Sequence, residues 1–323
     1  MKNAILIFLL LIEVSLAAQD PVALAEEPGT WKYAYLNDAN TRMYSQNFAM
    51  SAKEVVDFKG KMDQLVEVLH RNPVMANPRG FDADVESRPF YPYDFKKHPE
   101  NYAYVGEINF RLPQWFNSKG KKYKQTIEPP RTTVFLNHIS LLGHSAFSVV
   151  SVGNNDEAAD RVNDICRPMV IKELQPGVIL FDYAIVFSKP GKSLFLPCTV
   201  GEAYKRLIAY YESANKIEPY YDMLLNPLKE EYARLTAGQL GSPAYFGGMT
   251  GITYEKTSDP LMLVNNNFFD RSKPKTAVQA IVFPINADYF RETTDFVPSD
   301  VGFYRINQFL HSLDIKAIME IVE

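Results

Sequence analysis

The chain has 323 residues, 46% of them hydrophobic and 22% charged, a composition typical of a folded globular protein. It excludes a disordered or collagen-like chain. The 34 Lys and Arg against 38 Asp and Glu leave no basic excess, so we expect no nucleic-acid binding.

The first 17 residues have the layout of an export signal. Lys2 precedes an apolar run at 4–12, and Ser15 and Ala17 place small side chains where a signal peptidase cleaves. We predict cleavage after Ala17 and a periplasmic or extracellular location. The apolar run is far shorter than the ~20 residues of a membrane span, so we expect no transmembrane span in the mature chain. No Asn lies in an Asn-x-Ser/Thr sequon, which favours a bacterial source.

The segment 18–155 is predicted to contain one long helix followed by strands. Ser51 and Glu54 form a capping box, in which each side chain satisfies a backbone amide at the helix start. Apolar residues then recur at helical spacing until Asn72-Pro73 ends the helix. Strand-like patterns follow at 81–86, 103–111, 131–139 and 146–152.

The segment 156–323 is predicted to be richer in helices. Helices are expected to begin at Asp156, at Thr199 through a second capping box, at Asn226-Pro227, and at Ser299 with a break near Asp314. Strands at 178–187 and 193–196 are predicted to form a hairpin around the turn at 189–192, and 276–284 is a late strand. The glycine-rich segment 238–251 is predicted to be a surface loop, with a flap over a pocket as the alternative.

This order predicts an α+β fold, with an antiparallel or mixed sheet packed with several amphipathic helices. It lacks the regular βα alternation of a doubly wound or barrel fold. The two segments that meet near residue 155 are either consecutive halves or parts of one continuous domain.

His138, His144 and Ser145 are weak candidates for catalysis. Ser145 follows Gly143-His144 as in a nucleophile elbow, but Phe147 occupies the position where that turn needs a second glycine. A polar turn is the simpler interpretation. The two histidines have an even spacing that one strand face would share, yet no established metal-ligand spacing is present, so we predict no metal site.

Asp82, Asp84 and Glu86 form the best candidate acidic cluster in the sequence. Their alternation would place three carboxylates on one face of a strand, as a cation site or a carboxylate-dependent hydrolase requires. A solvated strand face, with Ala83 and Val85 packed inward, is the simpler alternative.

Cys166 and Cys198 are the two cysteines of the chain. Export would place both cysteines in an oxidising compartment, so we predict a disulfide between them, with two buried free thiols as the alternative. Such a bridge would add about 3 kcal/mol to the free energy of unfolding.

Aromatic clusters are the strongest functional feature of the sequence. Tyr91, Tyr93, Tyr102 and Tyr104 are candidates for a platform that stacks on sugars or anchors a protein. We therefore expect an exported, non-catalytic binding or accessory protein with an aromatic contact surface and a protein or carbohydrate partner. The alternative is a secreted hydrolase or metal-dependent enzyme that uses the histidine, serine and aspartate candidates above. The sequence identifies no cofactor.

Overall fold

The fold is described from a computed structural model. It describes residues 22–36, 50–89, 102–142, 145–153, 156–265, 267–285 and 301–323. The predicted signal peptide and its cleavage site lie outside these residues.

The chain divides into two compact units, each built from three separate segments. The first unit comprises Met1–Pro92, Val105–Phe135 and Pro284–Ile321, and the second comprises Tyr93–Tyr104, Leu136–Phe283 and Val322–Glu323. The units are therefore interleaved along the chain, and each contains residues from both sides of position 155.

The first unit combines a mixed sheet with helices from both ends of the chain. Strands β2, β3, β4 and β7 lie side by side in that order; β2 is parallel to β3, and β3 is antiparallel to β4. Strands β1, β5 and β6 form a small second sheet in the order β1-β5-β6. The elements are β1 (Val22–Ala23), β2 (Trp31–Tyr35), α1 (Ala52–His70), α2 (Pro73–Ala76), β3 (Ala83–Pro89), β4 (Gly106–Arg111), β5 (Trp115–Ser118), β6 (Lys121–Lys124), β7 (Arg131–Leu136), α7 (Val301–His311) and α8 (Ile315–Met319).

Helix α1 begins where the capping box predicts. The Ser51 hydroxyl accepts a hydrogen bond from the backbone N–H of Glu54, and the Glu54 carboxylate accepts one from the backbone N–H of Ser51. Phe58, Met62 and Leu65 are fully buried, so the apolar stripe forms part of the core of this unit.

In its described residues, the second unit contains strands of three sheets and four helices. Strands β16, β11, β10 and β9 lie side by side in that order, β12, β15 and β8 form a three-stranded sheet in the order β12-β15-β8, and β13 pairs with β14. The elements are α3 (Asp156–Asn163), β8 (Ile165–Cys166), β9 (Val170–Gln175), β10 (Val178–Phe181), β11 (Ala184–Ser188), β12 (Phe195–Pro197), α4 (Val200–Asn215), α5 (Asp222–Arg234), α6 (Ala237–Gly241), β13 (Tyr245–Phe246), β14 (Ile252–Thr253), β15 (Met262–Val264) and β16 (Ala280–Pro284), with 3-10 turns at Ile139–Leu142 and Pro219–Tyr221.

Helix α4 is the centre of the helical core of the second unit. Thr199 caps it by accepting from the N–H of Glu202, but the Glu202 carboxylate accepts from Arg206, so the predicted capping box is only half formed. Tyr204, Leu207 and Tyr210 are almost completely buried on its inner face, together with side chains from α3 and α5.

Three of the secondary-structure predictions are wrong. The segment 146–152 contains no strand. Gly191 has the positive φ (+79°) that the predicted turn needs, but β12 after it pairs with β15 instead of returning to β11. Helix α5 begins at Asp222 and keeps Pro227 in its interior, so the Asn226-Pro227 start is also incorrect.

The α+β class and the absence of regular βα alternation are confirmed. Among the residues that the structure describes, no helix has the length and apolar character to cross a bilayer.

Candidate functional site

The predicted acidic cluster is a pair of half-buried strand residues preceded by a buried aspartate. Asp84 and Glu86 lie on the half-buried face of β3, opposite Arg111 and Asn109 of β4. Asp82 precedes the strand, is buried, and accepts hydrogen bonds from the Thr30 backbone N–H at 2.9 Å and the Lys124 ammonium at 3.0 Å.

The Asp82 carboxylate is therefore held by two hydrogen bonds within the first unit. Burial acts to raise its pKa, but the hydrogen bonds from Lys124 and Thr30 outweigh burial and lower the pKa below its usual value. Asp82 therefore stays ionised and paired at neutral pH. In the part of the chain that the structure describes, no group of three His, Cys, Asp or Glu side chains is arranged to hold a metal.

Asp82→Asn is expected to lower the free energy of unfolding at neutral pH by roughly 1–3 kcal/mol, because the Lys124 ammonium loses its carboxylate partner. A depressed folded-state pKa stabilises the fold above the unfolded pKa of about 3.9 and loses that effect as pH falls through the folded value. The difference between wild type and Asp82→Asn should therefore shrink below about pH 4. Urea unfolding across this range measures it; a difference that is constant with pH would contradict the assignment.

His138 and Ser145 occupy different local environments of the second unit. Burial lowers the pKa of His138 to about 4, so the side chain is neutral at physiological pH and poorly matched to general-base catalysis. The Ser145 hydroxyl lies 3.0 Å from Asn163 Oδ1 and accepts from the Ser148 backbone N–H at 3.0 Å. This arrangement is a hydrogen-bonded turn, the simpler of the two interpretations from sequence. His144 lies outside the described residues.

The predicted disulfide is absent, and both cysteines are buried free thiols. Cys166 on β8 lies opposite Met262 on β15, and Met262 lies opposite Pro197 on β12, the residue before Cys198. Strand β15 therefore separates the two cysteines. Two strand spacings of about 4.8 Å place the chains about 10 Å apart, beyond the ~7 Å Cα separation that a disulfide spans.

The thiols of Cys166 and Cys198 are expected to resist modification in the folded protein. Burial raises the pKa of Cys166 to about 12 and that of Cys198 to about 11, so neither forms a reactive thiolate at mildly alkaline pH. Iodoacetamide should label neither cysteine in the native protein and both in denaturant without reductant, as measured by mass spectrometry. Failure of the denatured, unreduced protein to take up label would show that the disulfide forms.

The structure describes two of the four tyrosines of the predicted platform. Tyr91 and Tyr93 lie outside the described residues. Tyr104 is buried in the second unit, where it contributes to packing. Tyr102 is half-buried, its hydroxyl donates to the Lys273 carbonyl at 2.8 Å, and the Arg271 guanidinium lies 5.9 Å from its ring.

A different set of tyrosines forms an aromatic surface at the end of helix α4. Tyr210 and Tyr211 come from the last turns of α4, and Tyr220 and Tyr221 come from the 3-10 turn that follows. The ring of Tyr221 lies 5.9 Å from that of Tyr211 and 4.9 Å from that of Tyr220, between centroids. Tyr210 contacts Tyr211 at 5.0 Å and Tyr221 at 6.5 Å, both edge to face. Such contacts favour a fixed arrangement of rings.

Apolar residues close to this cluster along the chain are exposed. The exposed fractions are 50% for Ile217, 60% for Tyr220 and 68% for Met223. Tyr220 and Met223 are three residues apart along consecutive helical turns, a spacing that places side chains on the same side. We call Tyr210, Tyr211, Ile217, Tyr220, Tyr221 and Met223 the tyrosine patch.

The inner edge of the tyrosine patch is anchored to the core. Tyr210 is almost fully buried, and its hydroxyl donates to the Val150 carbonyl at 2.7 Å. Burial raises the pKa of Tyr210 to about 12 and also raises the pKa of Tyr211, so both hydroxyls stay neutral at physiological pH. Asn215 donates to Asp222 at 2.7 Å and fixes the turn between the two tyrosine pairs. The ring of Tyr221 therefore packs against a side chain that is anchored in the core, and the ring of Tyr220 packs on Tyr221.

Sequence reasoning missed this surface because Tyr211 fits the inward stripe of an amphipathic helix. The available signal was a pair of Tyr-Tyr doublets, 210–211 and 220–221, on either side of a helix end. No protein-family model, curated protein or solved structure matches the chain.

Proposed function

We propose that this chain is an exported, non-catalytic binding protein and that the tyrosine patch is its contact surface. The observation that carries the proposal is the exposure of Tyr220, Met223 and Ile217 around rings that are held in place by mutual contact. Buried, satisfied aromatics need no further explanation, but exposed apolar side chains beside a packed aromatic cluster are typical of an interaction site.

The chemistry of the tyrosine patch favours a protein partner over a carbohydrate. Tyrosine and methionine are enriched at protein interfaces because they bury a large area with adaptable contacts. Ile217 and Met223 add exposed apolar surface beside these tyrosines in the chain, and the nearby Asp222 carboxylate already accepts a hydrogen bond from Asn215.

Export of the protein is a separate part of the proposal. It depends on the basic, apolar and small-residue order of residues 1–17. The mature protein recovered from its native cells is expected to begin at Ala18, which intact-mass measurement and amino-terminal sequencing test. Retention of Met1 or Lys2 on the mature chain would contradict cleavage.

Site-specific photo-crosslinking tests the contact surface. A photoreactive phenylalanine derivative replaces Tyr220 in one variant and Tyr254, a second exposed tyrosine of the same unit, in a control variant. Illumination in the producing cells should give a crosslinked protein of one discrete mass at position 220 and not at position 254. No adduct at 220, or the same adduct at both positions, would refute the assignment of the tyrosine patch as the contact surface.

A further inference from the structure

Strand β9 has an edge open to solvent, and the first residues of this edge are apolar. The strand pairs with β10 on one side and, among the described residues, has no partner strand on the other. Val170 and Ile171 on this strand are 55% and 57% exposed, and Met169 before it is 51% exposed. Natural sheets protect such an edge against pairing with other chains, usually with charges or prolines. Lys172 and Glu173 supply exposed charges farther along β9, so the unprotected part of the edge is its apolar start.

A cleft of about 600 Å³ lies beside this edge within the second unit. Met169, Val170 and Ile171 form one side, and Phe181, Phe195 and Met262 contribute apolar surface to its lining. Phe181 and Phe195 are buried and meet edge to face at 5.9 Å. We call this feature the β9 cleft. Its volume is in the range of sites that accept large side chains or small ligands.

The charged side chains that line the β9 cleft sum to no net charge. Arg167 donates to Asp259 at 2.7 Å, and its guanidinium stacks over the Phe246 ring at 4.2 Å. Lys192 and Asp182 contribute one further charge of each sign. The lining has no net charge with which to select a polyanion or a polycation, and it favours an uncharged ligand.

The open edge of β9 supplies the polar groups that a ligand of this cleft would bind. An unpaired strand edge presents main-chain N–H and C=O groups along its length. An extended peptide carries the complementary groups at the same spacing, whereas a small ion or an apolar molecule does not.

We propose that the β9 cleft binds an extended, apolar peptide segment of a partner protein. The segment pairs with the open edge of β9 and places one apolar side chain against Phe181 and Phe195. Strand addition of this kind derives affinity from main-chain hydrogen bonds and specificity from alternate side chains. The site is distinct from the tyrosine patch and does not depend on it.

The test uses random linear peptides displayed on phage and selected on the full mature chain. An enriched peptide is synthesised, and its affinity is measured by fluorescence anisotropy for wild type, Ile171→Asp and the control Ile127→Asp, an exposed isoleucine of the first unit. Ile171→Asp should weaken binding at least about tenfold, because a charge opposes apolar contact at the edge. Ile127→Asp should leave the affinity unchanged, and both variants should keep the thermal midpoint of wild type.

Backbone chemistry distinguishes strand addition from other modes of binding. N-methylation of one alternate set of peptide nitrogens should abolish binding, and methylation of the other set should not, because only one set faces β9. The proposal is overturned if no peptide is enriched, if Ile171→Asp binds as wild type does, or if both methylated peptides still bind. It is equally overturned if wild type forms a dimer that Ile171→Asp abolishes, since the edge would then pair with a second copy.

Discussion

Replacing Asn137 with Ala is expected to lower the free energy of unfolding by about 4 kcal/mol or more. Asn137 is completely buried, and its amide group joins three segments of the second unit. The Nδ2 group donates to the carbonyls of Tyr104 and Ala277, both at 2.9 Å. The Oδ1 atom accepts from the backbone N–H of Gln279 at 2.7 Å and of Ala280 at 3.1 Å. Alanine would leave four buried backbone groups without this partner.

Backbone conformation adds to the cost of the alanine substitution. Asn137 has φ of +59°, a left-handed conformation that Asn tolerates better than Ala. Asn137→Gly removes the same hydrogen bonds without that strain, so it should be about 1 kcal/mol more stable than Asn137→Ala. Asn265→Ala serves as control, because Asn265 makes hydrogen bonds in an exposed setting, and it should cost under about 1 kcal/mol. Urea unfolding by far-ultraviolet circular dichroism measures all three. An Asn137→Ala protein as stable as Asn265→Ala would contradict the bonding described.

Gly177→Ala is expected to cost about 3 kcal/mol or more for steric reasons. Gly177 precedes β10 with φ of +84°, and its carbonyl accepts from the Ser188 N–H at 2.8 Å. An added Cβ would lie 2.2 Å from the Ser188 carbonyl oxygen and 3.1 Å from the Pro190 nitrogen. Both neighbours are backbone atoms, so relief requires displacement of the end of β11.

Gly191→Ala is the matched control for Gly177→Ala. Gly191 has a similar φ of +79°, but nothing lies within 4 Å of an added Cβ. Its substitution therefore costs only the left-handed strain of about 1 kcal/mol. The difference between the two variants in unfolding free energy isolates the clash. Equal losses would show that the backbone around Gly177 moves aside without cost.

Features set by neighbours in sequence were predicted correctly. The start of α1 at Ser51, the cap of α4 at Thr199 and the helix break at Asp314 each depend on a side chain that bonds an amide within three residues. The positive φ of Gly191 is a local property of the same kind.

Features set by distant segments were not predictable from these patterns. The partner of β12 is β15, which lies more than sixty residues later, so the turn before β12 did not reveal it. The same pairing separates Cys166 from Cys198, which no spacing rule indicated. Helix α5 includes Pro227 at a position that local rules assign to a helix start, because packing of Leu225 and Leu228 sustains the helix through it.

The tyrosine patch shows the same limit for the candidate site. Tyr210 and Tyr211 follow the helical periodicity of a core face, and only the fold of the following turn brings Tyr221 against them, with Tyr220 packed on Tyr221. The periodicity of the sequence therefore did not reveal that these four tyrosines form one cluster.

Hydroxyl-radical oxidation in the producing cells, compared with oxidation of the purified protein, tests the central claim whatever the identity of the partner. Met223 lies in the tyrosine patch, and Met249, which is 94% exposed on the β13–β14 turn, is the internal control. A bound partner should reduce oxidation of Met223 severalfold in cells and leave Met249 unchanged, as quantified by peptide mass spectrometry. Equal oxidation of Met223 in cells and in the purified protein would contradict a role for the tyrosine patch in binding.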